Sequence, residues 1–175
     1  MEENDQHSRF EQMALPHLDA AYNLARWLTG NEHDAEDVVQ DAYVRAFKFF
    51  GGFRGGNCRS WLLTIVRNTA YTWLEKNRGR HPVDEFDEEA HAVEDDSTNP
   101  EALLQLQADR EQVREAVGQL PAEFREVIVL RELEDLSYRE IAGIAGIPIG
   151  TVMSRLARAR KILQQTLSAT AGGAK

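Results

Sequence analysis

Residues 137–161 constrain this chain more than any other stretch. They read Ser137-Tyr138-Arg139-Glu140-Ile141-Ala142, then Gly146-Ile147-Pro148, then Thr151-Val152-Met153-Ser154-Arg155-Leu156. Ser137 and Glu140 have capping-box spacing, each side chain able to satisfy the other residue's free backbone N–H. Leu136 and Ile141 occupy the staple positions that flank such a box. Gly146 suits the left-handed conformation that ends a helix, and Pro148 lets a new helix begin while barring the old one from continuing. A helix start, a stop and a second start this close together predict two helices at a sharp angle. At 100° per residue, Val152, Leu156, Ala159 and Leu163 share one face of the second helix, while Thr151, Ser154, Arg158 and Lys161 share the other. Arg155 falls toward the border. A short, polar, positive outer face suits phosphates and base edges in a DNA major groove. It equally suits an ordinary helical hairpin with a solvated basic face.

The net charge of −9 runs against nucleic-acid binding until its distribution is examined. Nine acids and no Lys or Arg lie between residues 84 and 101, from Asp84 to Glu101. Residues 54–80 instead carry Arg54, Arg59, Arg67, Lys76, Arg78 and Arg80 against Glu75 alone. Residues 137–161 carry Arg139, Arg155, Arg158, Arg160 and Lys161 against Glu140. Two basic blocks flank an acidic spacer, and binding responds to the local field rather than the total. The single cysteine, Cys58, has no internal partner, and five scattered His provide no metal-ligand spacing. No run approaches the length of a membrane span, and the polar, acidic start of the chain is neither a signal nor a transit peptide. A reducing cytoplasm is the expected setting, with no membrane insertion.

Apolar spacing predicts a helix over 8–29, kinked or begun late at Pro16 and closed by Gly30. Asp34 is the expected N-cap of a second, about 35–50. A glycine-rich loop, Gly51 to Asn57, precedes a third at about 58–78. Residues 79–98 carry many acids and few large apolar groups, the composition of a flexible linker. Asn99-Pro100-Glu101 opens a fourth helix running to Gln119, and Pro121 opens a fifth to about 133. The tail from Ser168 is expected to fray. No segment alternates at period two. The expected fold is all-α: two small helical domains, 1–80 and 99–175, joined by an acidic flexible linker at 81–98.

Three motifs resemble those of the sigma-70 family of bacterial transcription factors, in its extracytoplasmic-function (ECF) group. Asp34-Ala35-Glu36-Asp37-Val38-Val39-Gln40-Asp41 is similar to the family's core-polymerase-binding helix. Phe53-Arg54 through Ser60-Trp61-Leu62-Leu63-Thr64-Ile65-Val66-Arg67-Asn68 is similar to its promoter-melting and minus-10 segment. Leu136 to Arg160 is similar to its minus-35 helix-turn-helix. The order of the three and the acidic stretch after the second make the resemblance specific. It implies a sigma region 2-like domain over 1–80 and a region 4-like domain over 99–175.

The resemblance implies that Asp34, Asp37, Gln40 and Asp41 contact core RNA polymerase, although polar groups opposite an apolar stripe also describe a solvated face. It implies that the third helix and its loop take the minus-10 element as single strand, through Phe53, Arg54, Arg59, Arg67, Asn68, Tyr71, Thr72 and Lys76. Cations for phosphates, an amide for base edges and exposed rings are what unstacked DNA requires. Phe53 either faces a base or anchors its loop. Trp61 and Trp73 are placed by their spacing in the core, and Cys58 has no role the resemblance needs. Duplex minus-35 DNA falls to Arg139, Thr151, Ser154, Arg155, Arg158 and Lys161, with Ser154 and Arg158 leading. Met153 departs from the commoner pattern, which has Lys or Arg there, and Ala157 is small for a base-contacting position. An anti-sigma factor is a further implied partner. No cofactor, metal or catalytic constellation is expected. A self-sufficient helix-turn-helix regulator is the alternative, and it leaves the basic glycine loop and the Asn68 helix without a task. A helical enzyme, the third possibility, lacks any site.

Overall fold

In a computed structural model, which describes residues 1–77 and 100–173, the chain is helical and the described residues contain no strand. Helix α1 spans Glu2–Ala14, α2 Leu18–Thr29, α3 Glu32–Phe49 and α4 Cys58–Lys76. After the undescribed stretch come α5 at Pro100–Gly118, α6 at Ala122–Ile128, α7 at Tyr138–Ala145 and α8 at Ile149–Gly173. The acidic linker expected at 81–98 lies outside the described residues, as do Arg78 and Arg80.

Several boundaries differ from expectation for local reasons. The first helix begins at Glu2 and is broken rather than kinked. Pro16 sits in a 3-10 turn, Leu15–His17, which divides α1 from α2 because proline cannot continue the α-helical ladder. Asn31, not Asp34, caps α3: its Oδ1 accepts from the Asp34 N–H at 2.8 Å, and its Nδ2 donates to the Asp34 carboxylate. Helix α6, expected to run to about 133 as one α-helix, instead gives way to a π-helical turn, Val129–Leu133, closed by the Glu134 N–H returning to the Val129 carbonyl at 3.1 Å. Asp135 then takes a left-handed conformation, φ +53°, which its short polar side chain tolerates. The stretch expected to fray stays helical to Gly173.

The helix-turn-helix has the expected local chemistry. Ser137 Oγ accepts from the Glu140 N–H at 3.1 Å, and Glu140 Oε1 accepts from the Ser137 N–H at 3.3 Å. Gly146 ends α7 at φ +68°, where a side chain would be strained. Leu136 and Ile141 are both buried, as a staple requires. Val152, Leu156 and Ala159 of α8 pack inward.

A principal apolar core runs through both halves. It takes Leu24 and Leu28 from α2, Val38 from α3, Leu63 and Val66 from α4, then Val127, Leu130, Ile141 and Leu156 from the C-terminal half. A second cluster, built on Phe10, Phe50 and Leu62, underlies the glycine loop. The halves pack directly: α4 meets α7, and α2 meets α6. None of the described helices is long and apolar enough to cross a membrane.

Replacing Leu156, which is 1% exposed, with Ala is expected to cost about 3 kcal/mol through lost burial and a residual cavity. Met153→Ala, at a side chain 52% exposed, is expected to cost less than about 0.5 kcal/mol. Urea unfolding distinguishes them, and equal costs would contradict the assigned inner and outer faces of α8.

Candidate nucleic-acid interface

The outer face of α8 is built by subtraction. With Val152, Leu156 and Ala159 committed to the core, helical geometry turns Ser154, Arg158 and Lys161 to solvent, with Thr151 half-buried at the helix start. Arg139 on α7 is exposed as well. Ser154 Oγ donates back to the Thr151 carbonyl at 3.1 Å. The Arg158 guanidinium lies 5.8 Å from the Phe124 ring, a cation–π contact that braces it without removing its donors from water. Thus Thr151, Ser154, Arg158 and Lys161 share one face of α8 turned away from the core. Arg155, at the border, is half-buried, and its charge reaches Glu126 instead.

The residues of α4 and of the loop before it divide in two. Arg54, Asn68, Thr72 and Lys76 are exposed. Arg59, Arg67 and Tyr71 are engaged with the C-terminal half. Arg59 Nη2 donates to Glu134 Oε2 at 2.7 Å and to the Glu134 backbone carbonyl at 2.9 Å. Arg67 Nε donates to Glu126 Oε2 at 3.1 Å, its Nη1 donates to Asn68 Oδ1 at 3.2 Å, and its guanidinium sits 4.0 Å over the Tyr71 ring. Phe53 stacks on Phe50 at 6.0 Å and lies 4.9 Å from Trp61, so the ring anchors the glycine loop on the second cluster. Trp61 and Trp73 are partly buried against the two cores. Cys58 is buried with its thiol against the Met13 carbonyl, and burial pushes its pKa up, which keeps it protonated and inert.

On α3, Asp37, Gln40 and Asp41 are exposed, while Asp34 is half-buried in the capping network. The same face carries Val44, 63% exposed, one turn beyond Gln40 and Asp41. Two carboxylates, an amide and an uncovered aliphatic group form a mixed polar and apolar surface. Sequence reasoning missed Val44. The signal was its position three and four residues beyond that pair.

It also missed the carboxylates that α4 meets. Glu126 has no exposed surface, although it sits on α6 among the core residues Val127 and Ile128. Burial pushes its pKa up. Tyr71, Arg67 and Arg155 pull it part of the way back. Tyr71 is shifted upward too, by burial first and then by the facing Glu126. Glu140 has the opposite sign: hydrogen bonding from the Ser137 backbone lowers its pKa, with help from the Ser60 and Asn57 side chains. Its Oε2 accepts from Asn57 Nδ2 at 3.1 Å and from Ser60 Oγ at 3.3 Å. Asn57 is itself the N-cap of α4, so one carboxylate serves two helix N-termini. Among the described residues no cluster of His, Cys, Asp and Glu could hold a metal ion.

Residues 13–80 match the family model for sigma-70 region 2, and residues 110–163 match that for sigma-70 region 4. The ECF RNA polymerase sigma factor SigE of Mycolicibacterium smegmatis is 33% identical over 159 residues, covering 91% of this chain. The chain spans 62% of that relative's length. The RNA polymerase sigma-H factor of Pseudomonas aeruginosa is 34% identical over 167 residues, covering 90% of this chain and 86% of the relative. Among solved structures, the sigma factor RpoE in complex with the anti-sigma factor NepR from Bartonella quintana superposes with a TM-score of 0.72 at 32% identity. That match covers 91% of this chain and 97% of the other.

Because the fold prefers Glu126 protonated, its contribution to stability is whole below the ordinary carboxylate range and is lost as pH rises through the raised pKa. Glu126→Gln does not titrate, and Glu140 acts equally in both chains. The stability of the variant minus that of the parent, from urea melts across this range, is therefore expected to rise with pH. A flat difference would contradict the buried assignment.

Proposed function

The chain belongs to the sigma-70 family, in its ECF group of RNA polymerase sigma factors, and from that membership we propose that it directs core RNA polymerase to specific promoters and assists promoter melting in transcription initiation. The observation that carries this reading is the presence, on one chain, of two separate basic blocks, residues 54–80 and 137–161, the second exposed on α8. A stand-alone regulator needs only the second.

In this reading the segment 1–80 docks on core polymerase through Asp37, Gln40 and Asp41, with Asp34 fixing the start of that helix and Val44 adding apolar contact. Phe53, Arg54, Arg59, Arg67, Asn68, Tyr71, Thr72 and Lys76 take the minus-10 element as single strand. Cations hold its phosphates, while Asn68 supplies donor and acceptor atoms for a base edge. The segment 99–175 takes the duplex minus-35 element. Ser154 and Arg158 face bases there, while Arg139, Thr151, Arg155 and Lys161 hold the backbone. Met153 and Ala157, which give no ionic contact, shape the promoter preference. The chain performs no catalysis of its own, since polymerase forms the phosphodiester bonds, and it acts in the cytoplasm where polymerase is found. An anti-sigma factor, such as the one bound to the Bartonella relative, is a fitting regulator.

Run-off transcription with purified core polymerase tests this reading. Adding the chain is expected to produce transcripts from discrete start sites on native genomic templates that core alone does not use. Unchanged start-site selection would overturn it. Arg158→Ala is expected to lower minus-35-dependent initiation about tenfold, the loss of one base contact, while affinity for core stays the same. Loss of core affinity would contradict the role given to α8.

A further inference from the structure

One flank of α8 is left without a task by these roles. At 100° per residue, Ile149, Met153 and Ala157 form a ridge, each four residues from the next, between the core face and Ser154. All of them are exposed, Ile149 by 42% and Met153 by 52%. The other flank carries Thr151, Arg155 and Arg158. Over its first turns α8 is therefore divided lengthwise, apolar on one side and cationic on the other. The apolar ridge ends at Arg160, whose guanidinium donates to Glu132 Oε1 at 2.9 Å. Ser154, between the flanks, donates its hydroxyl proton to the Thr151 carbonyl at 3.1 Å and offers only acceptor capacity outward. The space where a Cβ would stand on Gly150, beside the ridge, is open, so a neighbouring surface can come close to the helix there.

We propose that Met153, flanked by Ile149, selects thymine in the minus-35 duplex by packing on its C5-methyl group in the major groove. The proposal rests on the placement of α8 given above and deepens it by naming a base. The edges of the bases in that groove are hydrogen-bonding groups except for the thymine methyl, the feature apolar side chains contact. Ile149 and Met153 lie in the first turns of α8, the part of a recognition helix that reaches base edges. Two side chains offer far too little area for a protein interface, and about the area that one or two methyls cover. Methionine suits the task because its unbranched thioether adapts to the surface it meets. Discrimination also runs the other way. Pressed on the polar edge of a G·C pair, the same ridge would take water from donors and acceptors and return no hydrogen bond. Arg158, on the far flank, keeps its donors for a base of the other kind, since arginine pairs with the two acceptors of guanine. Apolar and cationic flanks thus read different base pairs from one helix.

The test uses holoenzyme assembled from core polymerase and the full chain, on a promoter mapped by the run-off experiment above. Deoxyuridine replaces every thymine of the minus-35 element, which preserves base pairing and removes only the methyl. The parent is expected to bind the uracil duplex roughly fourfold more weakly, the effect of one methyl left unburied. Met153→Ala is expected to bind the thymine duplex more weakly by a similar factor and to lose clearly less than the parent on uracil substitution. Met153→Leu, still apolar, is expected to keep the methyl dependence. Both variants are expected to retain the parent's affinity for core, which a general loss of structure would not leave intact. The inference is overturned if the parent binds both duplexes alike, if Met153→Ala loses as much on uracil substitution as the parent does, or if the mapped minus-35 element holds no thymine. Any of those results in a parent active in run-off removes the methyl contact alone. A parent inert in run-off removes the promoter reading and this inference together.

Discussion

Burying Glu126 is the constraint on which the rest of the arrangement depends. A carboxylate without solvent must find a cation or stay protonated, and the ion pair recovers the cost only with good geometry and further hydrogen bonds. Its own helix offers Arg125, whose guanidinium turns instead to the Gly118 carbonyl at 3.2 Å. Arg67, from the other half of the chain, meets it at 3.1 Å. Satisfying one acid on α6 thus fixes how α4 lies against the C-terminal half. The outer contacts at Glu134 and Glu140 follow the same seam. A buried pair of this kind adds little net stability, because desolvation consumes most of the attraction. What it supplies is register: a shifted interface would strand a charge. The apolar core running through Leu63, Val66, Val127 and Leu156 supplies the driving force, and the ions select one docking among many.

That division of labour explains what could be read in the sequence. The signals at Ser137, Glu140, Gly146 and Pro148 are local, and each has its expected role in the helix-turn-helix. The inner face of α8 follows from spacing alone. The errors occurred where two local signals competed. Asn31 and Asp34 are both good caps by residue type, but Asn31 takes the extended backbone an N-cap requires while Asp34 lies within the first helical turn and supplies the N–H that Asn31 accepts. Pro16 could kink or break, and a 3-10 turn resolved it. The π-helical turn at Val129–Leu133 has no sequence signature, since its residues also fit an ordinary helix end.

The seam was not legible at all. Glu126 reads as one more acid on a charged chain, and Arg59 and Arg67 read as free cations for DNA. Nothing within a helical turn of either arginine announces a carboxylate from the other half. The one available sign was negative: Glu126 interrupts the apolar side of Phe124, Val127 and Ile128, where a charge has no local reason to sit. Phe53 shows the same limit on a smaller scale. A ring in a glycine loop looks available, but Phe50 and Trp61 hold it.

Charge now has two roles in this chain. The net −9 is not only a spacer effect, because some acids lie against the cations of α4. The most direct measurement is energy transfer between dyes on exposed Glu75 and Gln165, placed in the full chain with Cys58→Ala. The packing of α4 against the C-terminal half predicts one, high transfer efficiency for the folded chain and a clearly lower one in denaturing urea. The same efficiency in both states would contradict it.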